Sequence, residues 1–273
     1  MKLEDLLATD ALIPSLPVAV SRILGELQKE EPDLHLINEL LSGEVGLTVR
    51  ILRLVNSARY RASGERIGTV EVATTMLGLI ATRQLVQAAA VGSAFKNVPG
   101  VEMSEFWRFS LDVAKIARSL AEELGQDKGI AFTAGLLHGV GDLIMKMAMP
   151  ALPSLQPAFA TDSHREAAQI TELGYAYPEV GAAFASRWMF PESIVEALRY
   201  QCDPQGGGKH TLSSLLYLAG WSARAHQLGI NGSVRLEQFP HDVAQAIGLN
   251  HVERLCDEEA IAWTEVEEAR DFA

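Results

Sequence analysis

Apolar residues recur at three-and-four spacing along most of the chain, and the spacing predicts helix after helix. In the stretch 18–27, Val20, Ile23, Leu24 and Leu27 share one face behind Pro17, a residue tolerated in a first turn. A second helix is predicted over about 34–42 from Leu34, Ile37, Leu40 and Leu41. A third covers about 47–58, with Val49, Leu52 and Val55 inward and Arg50 and Arg53 about one turn apart. Residues 69–94 are rich in Ala, Leu and Val, and Gly78 is expected to divide them into two helices. The stretch 95–103 mixes Asn, Pro and Gly and reads as a linker between two subdomains. A helix then runs from Ser104, the expected N-cap, to about Leu124, where Gly125 stops it. Residues 129–149 form the most apolar predicted helix and belong at the centre; segments 178–188, 191–201 and 210–228 continue the pattern. Residues 203–210 read as a flexible loop whose glycines lack the spacing and the Lys-Ser/Thr ending of a phosphate-binding loop. Neither an alternating strand of useful length nor an internal repeat is present.

From Gly229 onward the character changes. Gly229, Gly232 and Pro240 break the chain, acids accumulate, and Ile261, Trp263 and Val266 offer a thin apolar stripe. One or two terminal helices are expected there, held by a few anchors and otherwise solvated. The predicted organisation is a helical subdomain over 1–98, a second over 99–228, and an acidic extension over 229–273.

Composition adds three constraints. With 48% hydrophobic residues in 273, the chain can bury a core unaided by metals or disulfides, and its two cysteines, Cys202 and Cys256, form no C-x-x-C pair. No apolar run reaches the roughly 18 residues of a membrane span, and the first ten residues carry early acids rather than a secretory segment, so a cytoplasmic protein is expected. The net charge is −12, with 10 cations against 11 acids in 1–100, 8 against 13 in 101–200 and 5 against 11 in 201–273. Such a protein repels nucleic-acid phosphates within a Debye length of about 8 Å, which disfavours nucleic-acid partners. One local reversal stands out: Arg50, Arg53, Arg59, Arg61 and Arg66 fall in a stretch with a single acid, Glu65. Each Arg could pair with an acid from elsewhere; the alternative is a contact surface for an acidic partner, because the planar guanidinium fork suits carboxylate or phosphate.

Several phrases resemble the HDOD family. They are Ile13 to Pro17; the run Leu47 to Tyr60 (LTVRILRLVNSARY); Ile67, Val70 and Ala73; Leu77-Gly78-Leu79; and Phe106-Trp107-Arg108. The series continues through Ala134 to His138, Glu179-Val180-Gly181 and Arg187-Trp188 with Pro191, to Glu196, Leu198, Arg199 and Tyr200. The likeness covers about 12–225. It implies an all-α fold of two packed helical subdomains, the second resembling the helical core of HD-type metal phosphohydrolases. It further implies a bacterial signalling module that acts by contact with a protein partner, with a dimer as one compatible assembly.

An HD hydrolase holds its metal with a His, an adjacent His-Asp pair and a later Asp, and the ion makes a water nucleophilic. By the resemblance, the His-Asp pair is His138-Gly139 here, Phe109 stands for the first His, and Gly220 falls near the later Asp. Tyr177, Gln201 and Cys202 occupy places where active relatives often carry histidines. Only His138 matches a ligand position. Asp142, four residues on, could share an ion with it if both lie on one helix, but two protein ligands hold a metal weakly. The plainer readings are a core histidine with one satisfied hydrogen bond and, for the pair, a His–carboxylate hydrogen bond. No cofactor and no catalysis are expected; a divergent metal-dependent phosphohydrolase or cyclic-dinucleotide phosphodiesterase is the alternative, and a nucleic-acid-binding regulator the third. No Ser or Cys nucleophile signature is present, and Asp162 with Glu166 reads as a solvated pair.

Overall fold

The computed structural model describes residues 1–8, 17–63, 67–95, 97–155, 162–206, 211–230, 232–257, 260–261, 263–265 and 269. At 45, 54, 57–63, 77, 93, 162 and 163 the description is confined to the backbone. Ile13 to Leu16, Glu65, Arg66, the 207–210 stretch and Val266 therefore lie outside it, as do the side chains of Arg59, Arg61 and Asp162.

The described residues are all helical, without a strand, as the periodicity predicts. The first four helices are α1 (Leu3–Ala8), α2 (Val18–Glu26), α3 (Leu34–Gly43) and α4 (Val45–Ser63). α2 buries the four predicted residues, and Asp33 caps α3 by accepting hydrogen bonds from the His35 and Leu36 amides. α4 is rotated from the expected face: Leu47, Ile51 and Val55 are buried while Val49 is exposed, so the inward stripe runs at strict i, i+4 spacing. Asn56 staples the end of this region. Its Nδ2 donates to Leu52 O (2.7 Å) and Ile67 O (3.0 Å), and its Oδ1 accepts from Ile67 N (2.9 Å). We expect Asn56→Ala to cost about 1–3 kcal/mol, because it strands both backbone groups of Ile67. Asn56→Asp, which loses only the donor, should cost less; equal urea midpoints for the two variants would contradict the staple.

α5 (Val70–Ala94) is the spine shared by the two halves. Gly78 has φ 78° and ψ 170°, non-helical values that divide α5 as predicted and that a side chain would strain. Beyond the kink, Val86, Ala88, Ala89, Ala90 and Val91 are buried, and α5 packs on α7. Gln87, fully buried, donates to the carbonyls of Trp188 (2.9 Å) and Met189 (3.2 Å). The connection at 95–103 is not the exposed linker its composition suggests: Phe95, Val98 and Met103 are buried, and Phe95 meets Phe184 with ring centroids 5.8 Å apart.

The second half is built from α6 (Met103–Glu123), α7 (Lys128–Leu137), α8 (Val140–Ala148), α9 (Asp162–Leu173), α10 (Tyr177–Arg187), α11 (Glu192–Arg199) and α12 (Thr211–Gln227). Glu102, not Ser104, caps α6, accepting from the Ser104 amide. Two glycines let helices cross at near-backbone contact. A Cβ on Gly135 would lie 2.6 Å from Ala114 Cα, where α7 crosses α6. A Cβ on Gly141 would overlap the Tyr177 carbonyl oxygen and lie 2.6 Å from Gly181 N, where α8 crosses α10. The segment 128–148 is long and apolar enough to cross a membrane by length and composition, but 83% of it is buried inside this fold. It is also two helices rather than one, broken at His138-Gly139.

The extension forms α13 (Gly232–Glu237), α14 (His241–Ala246) and α15 (Glu253–Cys256) and is better anchored than its acidity suggests. Trp263 stacks on His226, centroids 3.7 Å apart. Arg235, fully buried, donates to the Ser222 carbonyl (3.0 Å) and hydroxyl (2.8 Å), and Ser222 Oγ donates to Leu255 O (2.9 Å). The Thr264 amide donates to Asp112 Oδ1 at 2.7 Å. Burial pushes the Asp112 carboxyl above its ordinary range, against the opposing pull of the Thr264 hydrogen bonds, Lys115 and His226. A carboxyl with a raised folded-state pKa contributes stability that is full below its unfolded value and is lost as pH rises through the folded one. Asp112→Asn keeps an acceptor for Thr264 but cannot ionise. Its melting temperature should therefore gain on that of the parent as pH rises from about 4 to 7. A constant difference between the two across that range would show that Asp112 does not titrate in the folded state.

Candidate functional site

α6, α8, α9 and α12 enclose a cleft of about 250 Å³. It holds His138, Gly139 and Asp142 together with Phe109, the residues that sequence reasoning placed at or near the metal-ligand positions. Their local geometry follows from the break between α7 and α8. His138 is the C-cap of α7 and Gly139 the N-cap of α8, so His138 and Asp142 stand on different helices rather than one turn apart on the same one. His138 has the setting of a core histidine with a satisfied hydrogen bond. His138 is buried, and its Nδ1 lies 2.7 Å from Gly135 O. A carbonyl only accepts, so Nδ1 carries the proton. The Phe109 ring packs on the imidazole with centroids 5.4 Å apart.

Asp142 is 5% exposed, and its charge is answered by two cations. Lys146 Nζ, one turn along α8, and Arg165 Nη1, from α9, each stand 3.4 Å from Oδ2. Arg165 is itself laid over the Tyr177 ring, with its guanidinium carbon 4.3 Å from the centroid. Across the cleft Arg224 of α12 repeats the arrangement over Phe109, also at 4.3 Å. The remaining substituted positions are structural: Gln201 Nε2 donates to His138 O (3.1 Å) and Leu198 O (2.9 Å), Tyr177 Oη lies 3.0 Å from Cys202 Sγ, and Gly220 is buried in α12.

These residues do not fit an HD-type metal. Gly139, Phe109 and Gly220 supply no side-chain donor, and the one buried carboxylate of the cleft, Asp142, faces two cations that would repel an incoming ion, while Glu102 and Glu105 are exposed on its rim. A Cβ on Gly139 would lie 2.8 Å from Phe106 Cε2, so an Asp there would require the Phe106 ring to shift. Among the described residues no group of three His, Cys, Asp or Glu side chains could hold an ion. Sequence reasoning missed Lys146, Arg165 and Arg224. Lys146 was readable as the i+4 partner of Asp142; the two arginines come from distant helices and left no local signal.

The basic stretch is only partly described. Arg53 is exposed on α4, while Arg50 is half-buried and held below its ordinary value by burial and by the neighbouring Arg53. Glu166 is half-buried on α9.

Known proteins place this architecture. The chain is similar to a Shewanella amazonensis structure provisionally named a phosphohydrolase, at 28% identity and TM-score 0.79 over 98% of both chains. A second Shewanella amazonensis structure, provisionally named a metal-dependent phosphohydrolase, shares the fold at 22% identity and TM-score 0.71, covering 99% of this chain and 96% of that one. The chain is also 30% identical over 194 residues to an uncharacterised protein of Treponema pallidum, spanning 69% of its own length but only 37% of that protein. The HDOD domain profile matches residues 13–204, and the chain belongs to the HDOD domain family.

Proposed function

We propose that this HDOD protein is a non-catalytic regulatory module that works in bacterial signal transduction by binding a protein partner in the cytoplasm. One observation carries the reading: where a hydrolase needs carboxylate and imidazole donors around an ion, the one buried carboxylate of this cleft, Asp142, is already paired with Lys146 and Arg165, and its other two, Glu102 and Glu105, are exposed on the rim and engaged with Ser104 and Arg108. A metal there would have to displace two cations, each 3.4 Å from Asp142 Oδ2, and an Asp at position 139 would require the Phe106 ring to shift. The basic stretch from Arg50 to Arg66 is the candidate face for an acidic partner. Metal-dependent phosphohydrolysis, the activity in the provisional name of one Shewanella protein, would find no group of three His, Cys, Asp or Glu ligands among the described residues of this chain.

The test is elemental analysis of purified protein together with hydrolysis assays on cyclic dinucleotides. We expect far less than one equivalent of iron, manganese, zinc or nickel and no chelator-sensitive turnover. Stoichiometric metal with turnover abolished by His138→Ala would overturn the reading.

A further inference from the structure

The geometry points to the same cleft as a metal-independent binding site for a small phosphate ester of mononucleotide size. The inference rests on the non-catalytic reading, because the residues it uses are those that replace the metal.

In a hydrolase the ion supplies the positive charge that draws a phosphate into such a cleft. Here fixed side-chain cations stand in that role. Arg165, Lys146 and Arg224 all line the cleft, and both arginines sit over aromatic rings, Tyr177 and Phe109, with the guanidinium carbon 4.3 Å from the centroid. A guanidinium oriented in advance loses little side-chain freedom on binding, and its fork matches two phosphate oxygens. Charge around the cleft also favours an anion despite the net charge of −12. Lys146 and Arg165 outnumber Asp142, to which they are paired. Of the two rim glutamates, Glu105 is paired with Arg108 at 2.6 Å, and Glu102 accepts from the Ser104 hydroxyl and amide at the start of α6. Arg224 adds a further cation opposite. Gly139, the N-cap of α8, also lines the cleft and makes no side-chain cap, so the positive end of that helix adds to the field.

Two features select an ester over bare phosphate. Phe106, Phe109 and Leu155 give the cleft an apolar wall on which a base or other flat group can lie. Asp142 Oδ1 is buried and has no hydrogen-bond partner, so it is an acceptor for a ligand hydroxyl or amino group.

Calorimetric titration of the full chain with inorganic phosphate, AMP and GMP, in the presence of EDTA, tests the site. Saturable binding of at least one nucleotide, tighter than that of phosphate and weakened by added salt, is expected. Arg224→Gln should weaken it roughly tenfold or more. Arg224→Lys, which keeps the charge and loses the fork, guards against a variant that fails to fold and should fall in between. Absence of binding by all three probes at millimolar concentration refutes the site and leaves the non-catalytic reading standing. Unchanged affinity in both Arg224 variants refutes it as well. In a parallel titration with manganese in place of EDTA, binding that appears only with the ion and releases phosphate from AMP overturns both the site and the reading beneath it.

Discussion

Replacing Gly141 with Val should destabilise the protein by about 3 kcal/mol, lowering the melting temperature by roughly 6–12 °C for a chain of this size. The cause is local and steric. α8 crosses α10 so closely that even a Cβ on Gly141 would overlap the Tyr177 carbonyl oxygen and meet the Gly181 amide. Neither obstacle is a flexible side-chain end that could swing away; both are backbone, fixed by the hydrogen bonds of α10 and the turn before it. The helices must therefore separate, and separation opens space beside Val140, Leu143, Ile144 and Val180, all fully buried. Gly25→Ala is the control. Gly25 lies in α2 with nothing within 4 Å of a built Cβ, so the same kind of change should be neutral or gain about 0.4–1 kcal/mol through the unfolded state. Calorimetric melts of the two variants decide the matter: similar melting temperatures would mean that the α8–α10 crossing yields, and that its glycines are not what sets the helix spacing.

The second large effect concerns charge. A Lys146→Met, Arg165→Met double variant should lose about 3–5 kcal/mol, because it leaves a 5% exposed carboxylate without its cations. Methionine retains much of the apolar contact of both stems, so the loss reports the uncompensated charge more than a cavity. Lys146→Met and Arg165→Met alone each leave one cation in place and should cost less than the double variant. Adding Asp142→Asn removes the charge and should recover most of the loss at neutral pH. Urea unfolding of parent, double and triple variants measures both steps. A triple variant no more stable than the double would show that Lys146 and Arg165 act through packing alone. The cleft would then not owe its present form to charge compensation.

The periodic pattern was legible wherever a helix has one buried side. α2 buries Val20, Ile23, Leu24 and Leu27 as spaced, and Gly78 interrupts α5 where its freedom at positive φ is needed. The pattern misled where burial is all-round or decided by neighbours. In α4 the apolar positions admit two faces, and packing against α5 selects Leu47, Ile51 and Val55 over Val49. Residues 129–149 are apolar on every side, so no periodic signal marks the break at His138-Gly139. The stretch 95–103 has the letters of a loop, yet Phe95 and Val98 are drawn into the core by partners such as Phe184, far along the chain.

By itself, then, the sequence determined the helical class and the family phrases, and through that resemblance it implied that Phe109, Gly139 and Gly220 stand where metal donors would be. Each is a matter of which side chain stands at which position, and local chemistry suffices to read it. Only the tertiary structure decided what the altered cleft contains. Arg165 lies 23 residues from Asp142 and Arg224 lies 115 from Phe109. Their contacts exist because helix crossings such as Gly141 on α10 fix distances that no local pattern encodes. Charge compensation acts over a few ångströms of space whatever the separation along the chain.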